Sequence, residues 1–377
     1  MVALFWGSVL AIVYTYFGYP AILYILSRIR GRRKAPLDST FCPSVTLIIT
    51  AHNEEKRIQI KIENTLAIDY PRDRLEVLVA SDASTDRTDD IVRDHADKGI
   101  TLVRAPERRG KEFAQKCAIE KARGEIIVFS DVATMIEKDG ISRIVSNFSD
   151  PTVGCVSSED RVLDEQGNVS GEGAYVRYEM WLRSLETRVN SVVGLSGSFF
   201  AARAEVCREL PTTIPSDFNT LLNSIRLGLR GVSDPASIGV YTNIRDEKKE
   251  FDRKVRTITR GISALMANVG LMNPFRFGIF SWQLASHKLM RWLVPWFLII
   301  AILSNLVLAF RSAVFMTILI SHVAFYGWAF LYEKISGGDT TMIKIPYYFV
   351  QVNRAIARAW VEYLKGERYV TWNPSTR

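Results

Sequence analysis

An α/β domain built on a mostly parallel sheet and joined to apolar membrane helices is the fold class that this 377-residue sequence predicts. Two observations carry that expectation. Short β-branched runs alternate with helical stretches through the charged middle of the chain, which is the spacing of strand, crossover and parallel strand. On either side of it, Val2 to Leu26 and Trp292 to Tyr332 are almost free of charge.

At the amino end, Leu4 to Leu26 is long enough, at ~1.5 Å rise per residue, to cross a hydrocarbon layer of about 30 Å. Residues 1–27 are therefore expected to form a transmembrane helix. The stretch lacks the basic start and small-residue cleavage site of a signal peptide. Arg28, Arg30, Arg32, Arg33 and Lys34 follow at once, and residues 28–43 read as a basic linker. Positive charge next to a span marks the cytosolic side, so the amino terminus is expected outside and the middle domain inside. The net charge of +8 has the same origin, since basic residues beside a bilayer gain from anionic headgroups. No nucleic-acid reader motif accompanies it, and no nucleic-acid partner is expected. Four cysteines and four histidines are scattered without ligand spacing, which argues against a zinc centre.

Residues 44–250 read as the globular domain. Val45 to Thr50 is a buried strand that runs directly into Ala51, His52, Asn53, Glu54 and Glu55. A helix around Ile58, Ile60 and Ile62 follows, up to the break at Asp69, Tyr70 and Pro71. Leu75 to Ala80 is a second strand, ending in the polar cluster from Ser81 through Asp82 to Asp86. After a helix around Asp89 to Ala96 comes a short strand, Ile100 to Val103. A basic loop, Arg108, Arg109, Gly110 and Lys111, leads into a helix from Glu112 to Ala122. That helix feeds the strand Ile126 to Phe129, which stops at Ser130 and Asp131. Three strand ends thus gather polar and acidic groups at one rim, where open α/β sheets place their ligands. A single strand-end Asp can equally cap the next turn; the convergence suits a metal or a phosphate-bearing ligand.

Further on, Val153 to Ser158 reads as a strand, Glu159 to Gly173 as a polar loop, and Tyr175 to Val189 as a helix whose Tyr178 and Trp181 suit either core or site. Gly194 to Ala202 is a small-residue loop and strand. Asp217 opens the next helix, as an N-terminal cap or as a functional acid. In EFDRKVRTITRG, Arg253, Arg256 and Arg260 fall at helical intervals, either resting on lipid headgroups or facing a phosphate. Residues 251–290 are read as interfacial, broken at Asn273, Pro274 and Phe275. Residues 291–333 are read as two spans. In residues 334–377 an interfacial helix, Ile345 to Leu364, precedes a cytosolic tail, because Gln351, Asn353, Arg354, Arg358 and Glu362 are costly at a bilayer centre.

VTLIITAHNEE, the DYP turn, LEVLVASDASTD, RRGKEFA and IVFSDVAT, in that order and spacing, resemble the family 2 glycosyltransferases of the membrane-bound, polysaccharide-synthase-like kind, over nearly the whole chain. That family has the glycosyltransferase-A fold, uses nucleotide-activated sugars with a divalent metal (Mg²⁺ or Mn²⁺), and inverts the anomeric centre. By the resemblance, Ala51, Asn53 and Glu55 would line the nucleotide pocket, with Asp82 at the uracil or ribose of a UDP-sugar and Lys111 near the base and diphosphate. Asp131 would be the first acid of the metal motif. Ala133 stands where the family carries a second, leaving the metal fewer protein ligands. Asp217 matches the catalytic base. Arg253 and Arg256 fall on a motif that sets an arginine beside the diphosphate, while Thr257 replaces its tryptophan, which weakens the case for a processive polymerase.

The resemblance implies a multi-pass enzyme of the cell's inner (plasma) membrane. Its cytosolic domain would move a sugar to a lipid-linked or glycan acceptor. Ala133 and Thr257 motivate the alternative of a catalytically weak membrane-bound scaffold. Three spans are few for a translocation pore, so export would call for a partner or a homo-oligomer.

Overall fold

The computed structural model describes residues 1–29, 40–163, 174–242, 247–335 and 341–369. Arg30, Arg32, Arg33 and Lys34 of the basic cluster, most of the expected linker, residues 164–173 of the expected polar loop and nearly all of the tail lie outside them. The chain divides into two units, one of Met1–Ile25, Asp246–Met266 and Ser281–Arg368, the other built chiefly from Leu26–Arg245 with Ala267–Phe280.

The second unit is organised by an eight-stranded sheet in the order β3-β2-β1-β4-β7-β6-β8-β5. Its strands are β1 (Val45–Ala51), β2 (Leu75–Ser81), β3 (Ile100–Arg104), β4 (Ile126–Asp131), β5 (Met135–Ile136), β6 (Val153–Leu163), β7 (Phe199–Arg203) and β8 (Arg230–Thr242). β3, β2, β1 and β4 are mutually parallel. β7 then runs antiparallel to both β4 and β6, so the parallel half continues into a mixed one. The apolar runs that mark β1, β2 and β4 in the sequence are buried on both faces, as parallel strands covered by helices must be. Leu47, Ile49, Val77, Val79, Val128, Ala201 and Phe199 share a core with Ile58 and Ile62 of the helix Ile58–Leu66. β4 enters this core past Gly124, where a Cβ would stand 2.4 Å from the Thr46 amide nitrogen, so only glycine fits.

One strand is longer than the sequence suggests. Glu159 to Leu163, expected as loop, continue β6 by pairing parallel to Ile238–Thr242 of β8 after a register shift that follows Ser157. Polar composition hides a strand whose partner lies far along the chain.

The first unit is helical. Among the described residues, Val2–Ile29, Ile279–Ala309 and Ala313–Leu331 are long and apolar enough to cross a membrane. The second begins at Ile279, inside the stretch expected to be interfacial, and runs on through a π-turn at Ala285–Leu289, whereas Phe277 closes the separate helix Pro274–Phe277. The first helix carries a matching π-turn, Tyr14–Gly18. Tyr14 joins the two: its hydroxyl is 2.7 Å from Ser286 Oγ and accepts the Trp282 indole N–H at 2.8 Å. The helix Thr341–Leu364 packs within this unit through Ala355, Ile356 and Ala359, and Trp360 donates to the Trp292 carbonyl at 2.7 Å.

Candidate active site

The strand order fixes where a site can form. From β1 the chain steps outward through β2 to β3 and then returns to pair β4 on the other side of β1. The crossovers diverge at that reversal and leave a crevice beyond the carboxyl ends of β1 and β4. Thr50 pairs with Asp131 across it.

Asp131, about a third exposed, is reached from the neighbouring helix Lys111–Ile119. The Lys111 ammonium donates to Asp131 Oδ1 at 2.5 Å and to the Gly197 carbonyl at 2.9 Å. Burial alone would pull this amine down; the charge and hydrogen bond of Asp131, with the charges of Glu112 and Asp217, outweigh it and hold the ammonium above its usual range. Asp217 lies beside Gly197: a methyl built on that glycine would stand 3.5 Å from Asp217 Oδ2, at ordinary contact distance. Asp217 lies in the first turn of the helix Ser216–Arg226, half-buried. One acid at the end of β4, one lysine and one acid at a helix start thus meet around the exposed Gly197.

Asp82 has a different setting. It is fully buried, Oδ1 accepts the backbone N–H groups of Arg109 and Gly110 at 3.0 Å, and Oδ2 also accepts from Gly110 at 3.0 Å. Gly110 takes φ 101° and ψ 173°, a region open in practice to glycine alone. The carboxylate therefore shapes the basic loop that launches Lys111. Ala51 is buried at the end of β1, and its carbonyl accepts the Asp82 N–H at 2.9 Å.

Asn53 and Glu55 are exposed, and their side chains tie the first rim loop to the second. Asn53 Oδ1 accepts from the Thr85 amide at 2.8 Å, and Glu55 Oε2 from the Arg87 amide at 3.2 Å. Asp86 Oδ2 returns the favour to the Glu55 amide at 3.1 Å. Asn53 has φ 52°, a left-handed conformation that asparagine tolerates better than most residues.

Arg253 and Arg256 belong to the other unit, on the helix Glu247–Ala267. Arg253 makes two 2.8 Å hydrogen bonds to Glu250 there.

Two further groups lie outside the residues singled out from the sequence. Lys61 is fully buried, its amine donating to Ser130 Oγ at 2.8 Å and to the Thr134 carbonyl at 2.5 Å. Burial lowers it to about 7, against the pull of the Asp131 charge. Asp160 of β6 accepts from the Ser196 hydroxyl at 2.7 Å and the Ser198 hydroxyl at 2.5 Å, fixing the turn around Gly197. Burial pushes its carboxyl up, despite those hydrogen bonds and the nearby Arg183. An isoleucine-flanked lysine, as in Ile60-Lys61-Ile62, was the one available signal for the first; nothing marked the second.

Among the described residues, no three His, Cys, Asp or Glu side chains gather as a preformed cation cage. A lone accessible carboxylate, Asp131, does not suit a resident ion. It does fit Mg²⁺ or Mn²⁺ arriving with a diphosphate, because these ions take one or two protein carboxylates and complete their shells with phosphate and water.

Known proteins share this sequence pattern and fold. Residues 46–210 match the model of the family described as glycosyl transferase family 2. A beta-monoglucosyldiacylglycerol synthase of Synechocystis sp. is 28% identical over 170 residues, covering 43% of this chain and 36% of that protein. A Methanococcus voltae protein, dolichyl N-acetyl-alpha-D-glucosaminyl phosphate 3-beta-D-2,3-diacetamido-2,3-dideoxy-beta-D-glucuronosyltransferase, is 25% identical over 257 residues, covering 62% of this chain and 78% of that one. The match thus spans little more than a third of the Synechocystis synthase. Among solved structures, the mannosyltransferase PcManGT from Pyrobaculum calidifontis, in complex with GDP-Man and Mn²⁺, superimposes with a TM-score of 0.76 at 24% identity, over 96% of this chain and 99% of that one. The shared fold is the glycosyltransferase-A fold with its appended helices.

Proposed function

Residues 46–210 are a family 2 glycosyltransferase domain, and on that premise we propose that the chain transfers a sugar from a nucleoside diphosphate donor, UDP-linked, to a hydroxyl of a lipid-linked or glycan acceptor, with inversion. The observation that carries this reading is the meeting of Asp131, Lys111 and Asp217 around Gly197. A donor diphosphate would be met there by the Lys111 ammonium, and an acceptor hydroxyl by the Asp217 carboxylate.

In the proposed step the acceptor oxygen attacks the anomeric carbon from the face opposite the diphosphate. The carbon–oxygen bond to the diphosphate breaks, its electron pair leaves with the nucleoside diphosphate, and the hydroxyl proton passes to Asp217. A single displacement inverts the centre. A divalent cation held by Asp131 and the diphosphate would neutralise charge on the leaving group. Lys111, poised beside Asp131, supplies a fixed positive charge to the same region. Asp82 acts at one remove, by shaping the loop that carries Lys111. Arg253 and Arg256 are assigned to the diphosphate on the resemblance of their motif alone.

The Synechocystis and Methanococcus relatives, whose names specify lipids, and the apolar helices support catalysis at a membrane surface; the cytosolic face of the inner membrane is proposed from the basic residues that follow the first span. GDP-mannose in PcManGT makes guanine the competing base. A panel of UDP- and GDP-sugars offered to inverted and to right-side-out vesicles tests base and face together. Acceptor-dependent release of UDP in inverted vesicles alone is expected. Release from GDP-sugars only would reassign the base, and no binding of any donor would favour the scaffold.

A further inference from the structure

The helix Ile58–Leu66 grips the segment that follows β4 at three points. Lys61 reaches Ser130 Oγ and the Thr134 carbonyl, on either side of Asp131, Val132 and Ala133. One turn later, Asn64 pairs with the backbone of Ile136 in both directions, donating to its carbonyl at 2.9 Å and accepting from its amide at 3.0 Å. Within the gripped segment, the Asp131 carbonyl accepts the Ser130 hydroxyl at 3.2 Å and the Thr134 amide at 3.1 Å. The lysine thus holds the two ends of a turn whose inner hydrogen bonds meet at the carbonyl of the residue that would hold a cation.

Lysine is rarely buried without a carboxylate hydrogen-bonded to it. Among the hydrogen bonds of the Lys61 amine here, both acceptors are neutral, a hydroxyl and a carbonyl. An apolar side chain of similar length would fill the same space at lower desolvation cost. What such a side chain lacks is the ability to tie positions 130 and 134 together.

We propose that Lys61 is a positioning residue for Asp131: its amine sets the width of the 130–134 turn and so the direction in which a single carboxylate meets a cation–diphosphate. With Ala133 in place of a second acid, one ligand must be held more rigidly than two would be. This inference rests on the transferase reading for its consequence but not for its geometry.

The test compares the full chain in detergent with Lys61→Met and Ser130→Ala, by three readouts: Tm, backbone hydrogen exchange of residues 131–134, and binding of Mn²⁺ together with UDP or GDP. Lys61→Met is expected to keep or raise Tm while exchange at 131–134 accelerates, and to weaken Mn²⁺–nucleotide binding by about 10- to 100-fold, the usual cost of losing an outer-shell partner. Ser130→Ala, which leaves Lys61 in place but removes one acceptor, should shift both in the same direction by less. Unchanged exchange and binding in Lys61→Met overturns the proposal. If that variant does not fold, unchanged exchange in Ser130→Ala overturns it. Should exchange and binding respond while the wild type transfers no sugar, Lys61 keeps its role and the transferase reading falls.

Discussion

Lys111 and Asp131 are joined by a 2.5 Å contact between ammonium and carboxylate, and the same ammonium reaches the Gly197 carbonyl at 2.9 Å. The pair links the end of β4 to the start of a helix and to the turn beside Asp217. An acid engaged in this way is held in place by the lysine, and in the proposed mechanism the donor diphosphate meets this ammonium.

Lys111→Met is therefore expected to lower kcat/KM by about 10²- to 10³-fold, the range for removing one preorganised charge-stabilising group. The fold should survive. Because the pair raises the Lys111 pKa, its contribution to stability is fully present below the unfolded value and is lost as pH rises through the folded one. Between neutral pH and mildly alkaline pH the activity profile should show no step from this amine. A step there that disappears in Lys111→Met would contradict the assignment.

Asp131→Ala removes both the partner of Lys111 and the protein ligand proposed for the cation. Mn²⁺ binding in the presence of nucleoside diphosphate should weaken by about 10-fold or more, with transfer falling alongside. Calorimetric titration of Mn²⁺ with UDP checks it. Unaltered affinity would move the cation to other ligands.

Gly110→Ala places a Cβ on a backbone at φ 101° and ψ 173°, at a cost of about 1–3 kcal/mol. Asp82→Ala leaves the Arg109 and Gly110 amides without their acceptor, with a similar expected penalty of about 1–3 kcal/mol. Both should lower Tm, and both should weaken donor binding through the displaced Lys111. Thermal unfolding and donor titration read the two effects separately. A normal donor affinity in both variants would detach the loop from the site.

Asp150 gives the pH dependence of the sheet's far edge. It accepts from the Thr152 amide and hydroxyl at 2.9 and 2.6 Å and from Arg230 at 2.8 Å. Burial would raise the carboxyl, but these partners bring it to about 2. A depressed carboxylate stabilises the fold above its unfolded value near 3.8, and that contribution is lost as pH falls towards 2. Asp150→Asn should lower Tm at pH 7 and match the wild type near pH 2. A constant difference across that window would remove ionisation as the cause.

The parallel strands β1 to β4 and the rim were legible in the sequence because each depends on local pattern, whereas β5 and β8 were not. Apolar runs such as Val45–Ala51 and Ile126–Phe129 are buried by their own composition, and the polar residues that follow them must face the crevice. The roles of individual rim residues were less so. Asp82, Asn53 and Glu55 look alike as polar residues after a strand, yet the first staples a loop 27 residues away and the others zip two loops together. Lys61 is 69 residues from Ser130. No periodicity records such partners. The extension of β6 was hidden for the same reason, since Glu159 pairs with Ile238 of β8, 79 residues on.

The central claim is that Asp217, set beside Gly197 and Lys111, takes the acceptor's proton. Asp217→Asn tests it most directly, with donor binding and acceptor-dependent release of nucleoside diphosphate measured on the same preparation. Release should fall by about 10²- to 10⁴-fold while donor affinity stays near the wild-type value. Near-normal release from Asp217→Asn would contradict the account.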